Sequence, residues 1–337
     1  MALGTVNVAP PKAKEVSTVR PVRFIVGTSA NGWTAADCDY LCDGSADDVE
    51  INAAITALPS TGGEIVLLDG TYNITAPIKL GKAGVTLRGN GQSTKLVRAF
   101  SGSYVIYLSG GYGVVENLLI DGASGTYTSS SKAIYALASN NIVRGCVIQN
   151  NSDYGIHFAA GKNKAIGNTI TASYSGIHVA ANKNVIEGNI CLENTHHGIH
   201  IEDDHNVVVG NIARLNSVAN FYMFYAKYNA ITGNNFAVES GDSVTPKAIH
   251  LYGTANSNNI VTDNAIGVGT ITNGGGTGNV VGTALDMMNR STNVNAADTN
   301  YDALMARGEK LLDATTFDAV TDWSEHLVNG AIAWRYE

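Results

Sequence analysis

The chain has 337 residues, 45% of them apolar, a length beyond any small stapled domain and an apolar content too high for disorder. Charged residues make up only 15%, whereas Gly supplies 37 residues and Asn 34, a mixture suited to short strands joined by tight turns. The formal net charge of −8, with no block of Lys or Arg, excludes a chain that tracks a phosphate backbone, so no nucleic-acid partner is expected.

Residues 1–42 are expected as an N-terminal arm. Met1 to Val16 carries no hydrophobic secretory segment, and no apolar run approaches the ~20 residues that would cross a bilayer, so neither a recognisable signal peptide nor membrane insertion is predicted. Cys38, Cys42, Cys146 and Cys191 are too few and too irregular for a disulfide framework, and Cys38 and Cys42 read as free thiols rather than as the closure of a small loop. Asp47 to Leu58 has acidic residues at its start and apolar residues at helical spacing, so a cap helix over about 47–58 is predicted, stopped by Pro59 and Gly62-Gly63. Strands follow at Glu64 to Leu68 and Thr71 to Ile74, around the turn Asp69-Gly70.

The middle of the chain repeats. Gly155-Ile156-His157 returns as Gly176-Ile177-His178 and Gly198-Ile199-His200, with weaker versions at Ala133-Ile134-Tyr135, Asn220-Phe221-Tyr222 and Ala248-Ile249-His250. A second track runs in step: Gly145-Cys146, Gly167-Asn168, Gly188-Asn189, Gly210-Asn211 and Gly233-Asn234, with Asn163, Asn184, Asn206 and Asn229 at a third recurring position. A period of about 22 residues leaves no room for an ordinary helix of ~11–12 residues plus strands, so each repeat is a coil of short strands. Alternation points Ile156, Phe158, Ile177, Val179, Ile199, Ile201, Phe221 and Met223 inward, together with Val143, Ala165, Ile186, Val208 and Ile231, and with Ile148, Ile170, Cys191, Ala213 and Phe236. Asn168, Asn189, Asn211 and Asn234 are expected to stack as an amide ladder across the ~4.8 Å strand spacing. Beyond about residue 285 the period is lost. Tyr301 to Leu312 reads as a short amphipathic helix, and the apolar tail with Trp323 and Trp334 as a C-terminal cap or self-association segment over 285–337, a homotrimer being one such assembly.

These residues resemble a family. Asp47-Asp48 through Ile55, then Gly62-Gly63-Glu64-Ile65-Val66-Leu67 and Gly70-Thr71-Tyr72, look like the N-terminal cap and first coil of pectate-lyase-like right-handed parallel β-helix proteins. Repeats such as Asn184-Val185-Ile186-Glu187-Gly188-Asn189 are similar to the repeat of that superfamily. The resemblance covers about residues 43 to 282 and implies an all-β fold: a single right-handed parallel β-helix over 43–284, of roughly ten coils, with an N-terminal helical cap and a C-terminal cap. It also implies a carbohydrate-active protein, because the superfamily holds polysaccharide lyases, glycoside hydrolases, uronate epimerases and phage tail-spike depolymerases. Without a signal peptide, the phage-associated members are favoured and the expected location is extracellular or on a virion.

The expected partner is a polysaccharide lying against the outward row Tyr135, His157, His178, His200, Tyr222 and His250; the plain alternative is a ring ladder that only stiffens a strand. One coil departs from its neighbours, gathering His196, His197, His200 and His205 around Glu202, Asp203 and Asp204. Hydrolysis would use two of those carboxyls, as Glu202 and Asp204, or as Asp203-Asp204, which resembles the paired aspartates of polygalacturonase-type hydrolases although their accompanying Gly-His-Gly and Arg-x-Lys are absent. β-Elimination would take His200 or Tyr222 as base and Lys183, Arg214 or Lys227 as the charge neutralising a uronate carboxyl. No cofactor is required, but a Ca2+ held by Glu202, Asp203 and Asp204 is an alternative electrophile. A lyase ranks ahead of a hydrolase. A non-catalytic adhesin or virion component comes next, then a uronate epimerase, whose Asp-Pro-His element Asp153-Tyr154-Gly155-Ile156-His157 does not reproduce.

Overall fold

A computed structural model of the protein describes residues 22–240 and 247–282, and the backbone of the strands Ser324–Val328 and Ala331–Arg335. It is a right-handed parallel β-helix. Each coil gives one strand to a nine-stranded parallel sheet that runs through Tyr104–Leu108, Lys132–Ala136, Tyr154–Phe158, Ser175–Val179, His197–Ile201, Ala219–Phe224 and Lys247–Tyr252. The other strands of the coils, such as Lys164–Ile166 and Thr169–Thr171, stack into a second parallel sheet of nineteen strands. The register follows the period read from the sequence: Ile156 pairs with Ile177, Ile177 with Ile199, Ile199 with Phe221 and Phe221 with Ile249. Every residue expected to point inward in these coils is fully buried.

The recurring Gly before the Ile has a packing cause. A Cβ on Gly155 would lie 2.5 Å from Ile170 Cγ2, and one on Gly176 would lie 2.9 Å from Cys191 Sγ, so glycine is demanded by close approach across the core. Gly and Ile therefore both face inward, and the preceding residue, Tyr154 or His197, comes to the outer face beside the histidine of the row. At the second track Gly167, Gly188 and Gly210 hold φ of +60°, +62° and +65°, the left-handed turn that swings the next Asn into the interior.

The buried amides form ladders. The Nδ2 group of Asn189 donates to Asn211 Oδ1 at 3.0 Å, the Asn189 N–H donates to the same oxygen at 2.8 Å, and Asn168 makes the same pair of bonds to Asn189. The series runs from Cys146 to Asn264. Asn141, Asn163, Asn184, Asn206, Asn229, Asn259 and Asn279 build a second ladder, each backbone N–H bonding the next side-chain oxygen. A third, through Asn151, Ser173, Asn194 and Asn216, was not evident in the sequence because Ser173 interrupts it and Asn220, four residues on, ends it.

The cap helix spans Asp48–Ala57 and buries Ile51, Ala54 and Ile55 over the first coils. Residues 22–42 are not an arm. Arg23–Thr28 pairs in parallel with Gly63–Leu67, Phe24 opposite Ile65, and Tyr40–Cys42 pairs with Arg23–Thr28, so the sheet starts ahead of residue 43. Phe24, Val26 and Thr28 fall at alternate positions of this strand, Val26 and Thr28 fully buried and Phe24 packed against the core, and that is why it joins the later coils. All four cysteines are free thiols. The expected helix over 301–312 lies outside the described residues, as does most of 285–337; within it Ser324–Val328 and Ala331–Arg335 form an antiparallel pair.

Asn189→Ala removes the acceptor of two Asn168 N–H bonds and leaves Asn211 Oδ1 short of a donor, all in a dry interior. At ~1–3 kcal/mol for each orphaned buried group, a loss of about 2–4 kcal/mol is expected in urea unfolding, against ~0.5 kcal/mol or less for Asn182→Ala at an exposed turn.

Candidate functional site

The row lies on the outer face of the nine-stranded sheet, in a single column. Register pairs join Tyr107 to Tyr135, Tyr135 to His157, His157 to His178, His178 to His200, His200 to Tyr222 and Tyr222 to His250. Ring centroids along it are separated by 5.8, 5.0, 4.6, 4.5, 4.8 and 5.2 Å. Its centre is not a free surface, contrary to expectation. His178 is 5% exposed, His200 8% and His197 3%. The cause is the stacking itself: each ring covers the next, Tyr154 sits 4.3 Å from His178, and His197 lies 4.2 Å from Tyr222. At His157, His197 and His200 burial favours the neutral imidazole. It lowers His157 to about 3, with the neighbouring His178 adding to the effect, and lowers His197 and His200 as well.

Glu202 closes over the centre. It follows Ile201, whose register partner is Val179, so the residue one coil back is the small Ala180, and the carboxylate leans across two coils. His178 Nε2 is 3.2 Å from Oε2 and His200 Nε2 is 3.1 Å from Oε1. These contacts, from His178 first and His200 next, hold the Glu202 carboxyl well below the usual carboxylate range. Both are of ion-pair length but miss hydrogen-bond alignment, so both ring nitrogens of His178 and Nε2 of His200 are buried without a hydrogen bond.

The other acids do not join Glu202. Asp203 Oδ1 accepts the Asp204 N–H and Asp204 Oδ1 accepts the Lys227 N–H, so both carboxylates are spent in the turn that follows the strand. The Ca2+ set Glu202, Asp203 and Asp204 therefore does not converge. Among the described residues the donor groups that gather within 4.8 Å are His178–His200–Glu202 and Cys42–Asp47–Glu50. The expected cations also stand apart from the row. Lys183 is in an exposed turn, Lys227 offers its backbone to Asp204, and Arg214 belongs to the other sheet, where it pairs with Glu239.

Two other lysines take their place. Lys132 Nζ lies 2.6 Å from Asp153 Oδ2 and 5.7 Å over the Tyr154 ring, and Lys247 Nζ lies 3.3 Å from His250 Nε2. The signal was in the repeat: Lys132, Tyr154, Ser175 and His197 precede the four Ile residues of the row by two positions each, a second column on the same face. Beyond Tyr222 the surface opens into a ring cluster with Phe224, Tyr225 and Tyr252, where Tyr225 is 48% and Tyr252 47% exposed.

Coil geometry and ladders of this kind define a right-handed parallel β-helix protein. Residues 116–302 match the model of a family described as "Periplasmic copper-binding protein (NosD)", more than half of the chain, and the chain belongs to that family. Among solved structures it is similar to the A-module of mannuronan C-5 epimerase AlgE4 from Azotobacter vinelandii, with 15% identity, a TM-score of 0.50, and coverage of 71% of this chain and 78% of that one. Others are ORF18 of Geobacillus virus E2 (14%, TM-score 0.46, 77% and 59%) and the Dettilon tailspike protein (14%, TM-score 0.45, 72% and 66%). At these identities the likeness is one of fold. No curated protein matches the sequence.

Because His157 binds its proton only near pH 3 in the native state, whereas an ordinary histidine does so at about 6.5, the unfolded chain takes up a proton that the fold refuses. The contribution is complete above about pH 6.5 and is lost as pH falls towards 3, by at most ~1.4 kcal/mol per pH unit for this group. The melting temperature should decline across that interval, and less steeply in His157→Gln; equal slopes would show that His157 is not the buried neutral base described.

Proposed function

We propose that the protein binds a polysaccharide outside the cytoplasm and cleaves it by β-elimination. The carrying observation is the ring cluster of half-buried Tyr222 and Phe224 with exposed Tyr225 and Tyr252, which opens directly beside the His200–Glu202 pair at the end of a long, regular face. Exposed rings supply flat apolar surface for pyranose faces, and a solenoid gives a polymer one continuous track. Hydrolysis needs a carboxyl held protonated. Here Glu202 is driven the opposite way, and Asp203 and Asp204 are engaged by backbone amides.

Proton abstraction suits the site better. His200 is neutral because burial lowers it, and Tyr222 keeps its proton because burial raises it, so one can accept and the other donate across a 4.8 Å T-shaped contact. Lys247, beside His250, brings positive charge to the same face for an acidic sugar, whereas the charge of Lys132 is paired with Asp153. The name of the epimerase neighbour, which specifies mannuronan, supports a uronate polymer, and an epimerase would share the abstraction step. The family's name supports a periplasmic or external location; among the described residues no helix is long and apolar enough to cross a membrane.

That name also carries a second reading, metal binding. It is favoured by the convergence of His178, His200 and Glu202, whose nitrogen and oxygen donors suit Cu2+; Cys146 and Cys191 point into the core and do not contribute.

Incubation with a panel of uronate and neutral polysaccharides should raise the ultraviolet absorbance of unsaturated uronate ends. Tyr222→Phe should lower kcat by about 100-fold or more with little change in melting temperature. New reducing ends without that absorbance would show hydrolysis instead, and binding without either product would show an adhesin.

A further inference from the structure

The metal-binding reading gains a specific site from three observations, and the inference rests on that reading. First, His178 Nε2 and His200 Nε2 lie 3.2 and 3.1 Å from the Glu202 carboxylate oxygens, close to the edge of a coordination tetrahedron, and the three donor groups fall within 4.8 Å of one another. Bonds of ~2.0–2.1 Å to nitrogen and oxygen give edges of about 3.3 Å. Second, His178 and His200 are more than nine-tenths buried, and the Nε2 atoms they aim at Glu202 make no hydrogen bond, so no other partner competes for them. Third, the Glu202 side chain is 35% exposed, so an ion between the three would keep a face open to solvent.

We propose that His178, His200 and Glu202 bind one divalent transition-metal ion across two adjacent coils, with a coordination position left open on the outer face. Two imidazoles and a carboxylate suit Zn2+ or Cu2+, whereas Ca2+ takes six to eight oxygens, which this surface does not assemble. The other converging trio is different in kind: Cys42 Sγ donates to the Asp47 carbonyl, and the Asp47 carboxylate accepts the Gly44 and Asn73 N–H groups, so its donors hold the cap together. Metal at His200 Nε2 and proton transfer at that atom exclude each other. With the ion bound, Tyr222 is the proton-transfer group that remains in the row.

The test is titration of the chelator-treated full chain with Zn2+, Cu2+ and Ca2+ in turn, with no sugar present. One equivalent of Zn2+ or Cu2+ should bind and Ca2+ should not, and the Cu2+ electron paramagnetic resonance spectrum should carry splitting from two imidazole nitrogens. Glu202→Gln and His178→Asn should each weaken binding by more than about 100-fold, since even an outer partner of a ligand is typically worth 10–100-fold. The metal-free melting temperature of Glu202→Gln should match that of the parent chain. Failure of both transition metals to bind overturns the site and the metal-binding reading together. Tight one-to-one binding that survives both substitutions overturns the site alone. A Ca2+ affinity equal to that of Zn2+ overturns the choice of ion.

Discussion

Everything in this molecule depends on each coil returning to the register of the one before it. Parallel strands pair only with the strands directly above and below, and slipping by one residue would turn every side chain to the opposite face. The chain enforces the return with amides buried in the turns. An Asn side chain that must accept from the preceding coil's backbone N–H and donate to the following coil's amide oxygen has no partner if the coil slips, and an unpaired amide in a dry core is expensive. The apolar residues fill the interior, but they would tolerate small shifts. The ladders do not.

The same register makes the site. Because coils stack about one strand spacing apart, any residue type repeated at the period becomes a column, and His157, His178 and His200 come within ring-contact distance without any element built to hold them. Stacking then changes their chemistry. Side chains on an outer face are ordinarily wet, yet here each ring shields the next, and for His157 and His200 that burial favours the neutral imidazole. Glu202 enters this column of rings as a carboxylate. The small Ala180 one coil back leaves room for it to span two rungs, and its negative charge and the two facing nitrogens form a polar centre in an otherwise aromatic strip.

The fold was legible because it follows from periodicity, and periodicity survives in a single sequence. The inward residues, the Asn168–Asn234 ladder and the cap helix all follow from spacing and alternation. Less was legible at the site. The column of rings was foreseen, but its burial was not, because exposure depends on how neighbouring side chains cover one another. The acidic run Glu202-Asp203-Asp204 looked like one cluster, yet the strand ends after Ile201. Asp203 and Asp204 turn into backbone bonds while Glu202 folds back over the sheet. Lys183, Arg214 and Lys227 are near that coil in sequence, but in a solenoid nearness is set by the register, which brings Lys132 and Lys247 to the row instead.

The most direct test of this account is nuclear magnetic resonance on protein carrying isotope-labelled histidine. The His178 ring lies 4.6 Å from His157, 4.5 Å from His200 and 4.3 Å from Tyr154, so its protons should show Overhauser contacts to all three. Contacts from His178 to buried core residues such as Cys191 and Ile199, with none to the adjacent imidazoles, would mean that the rings do not form a column, and the site drawn from that column would be wrong.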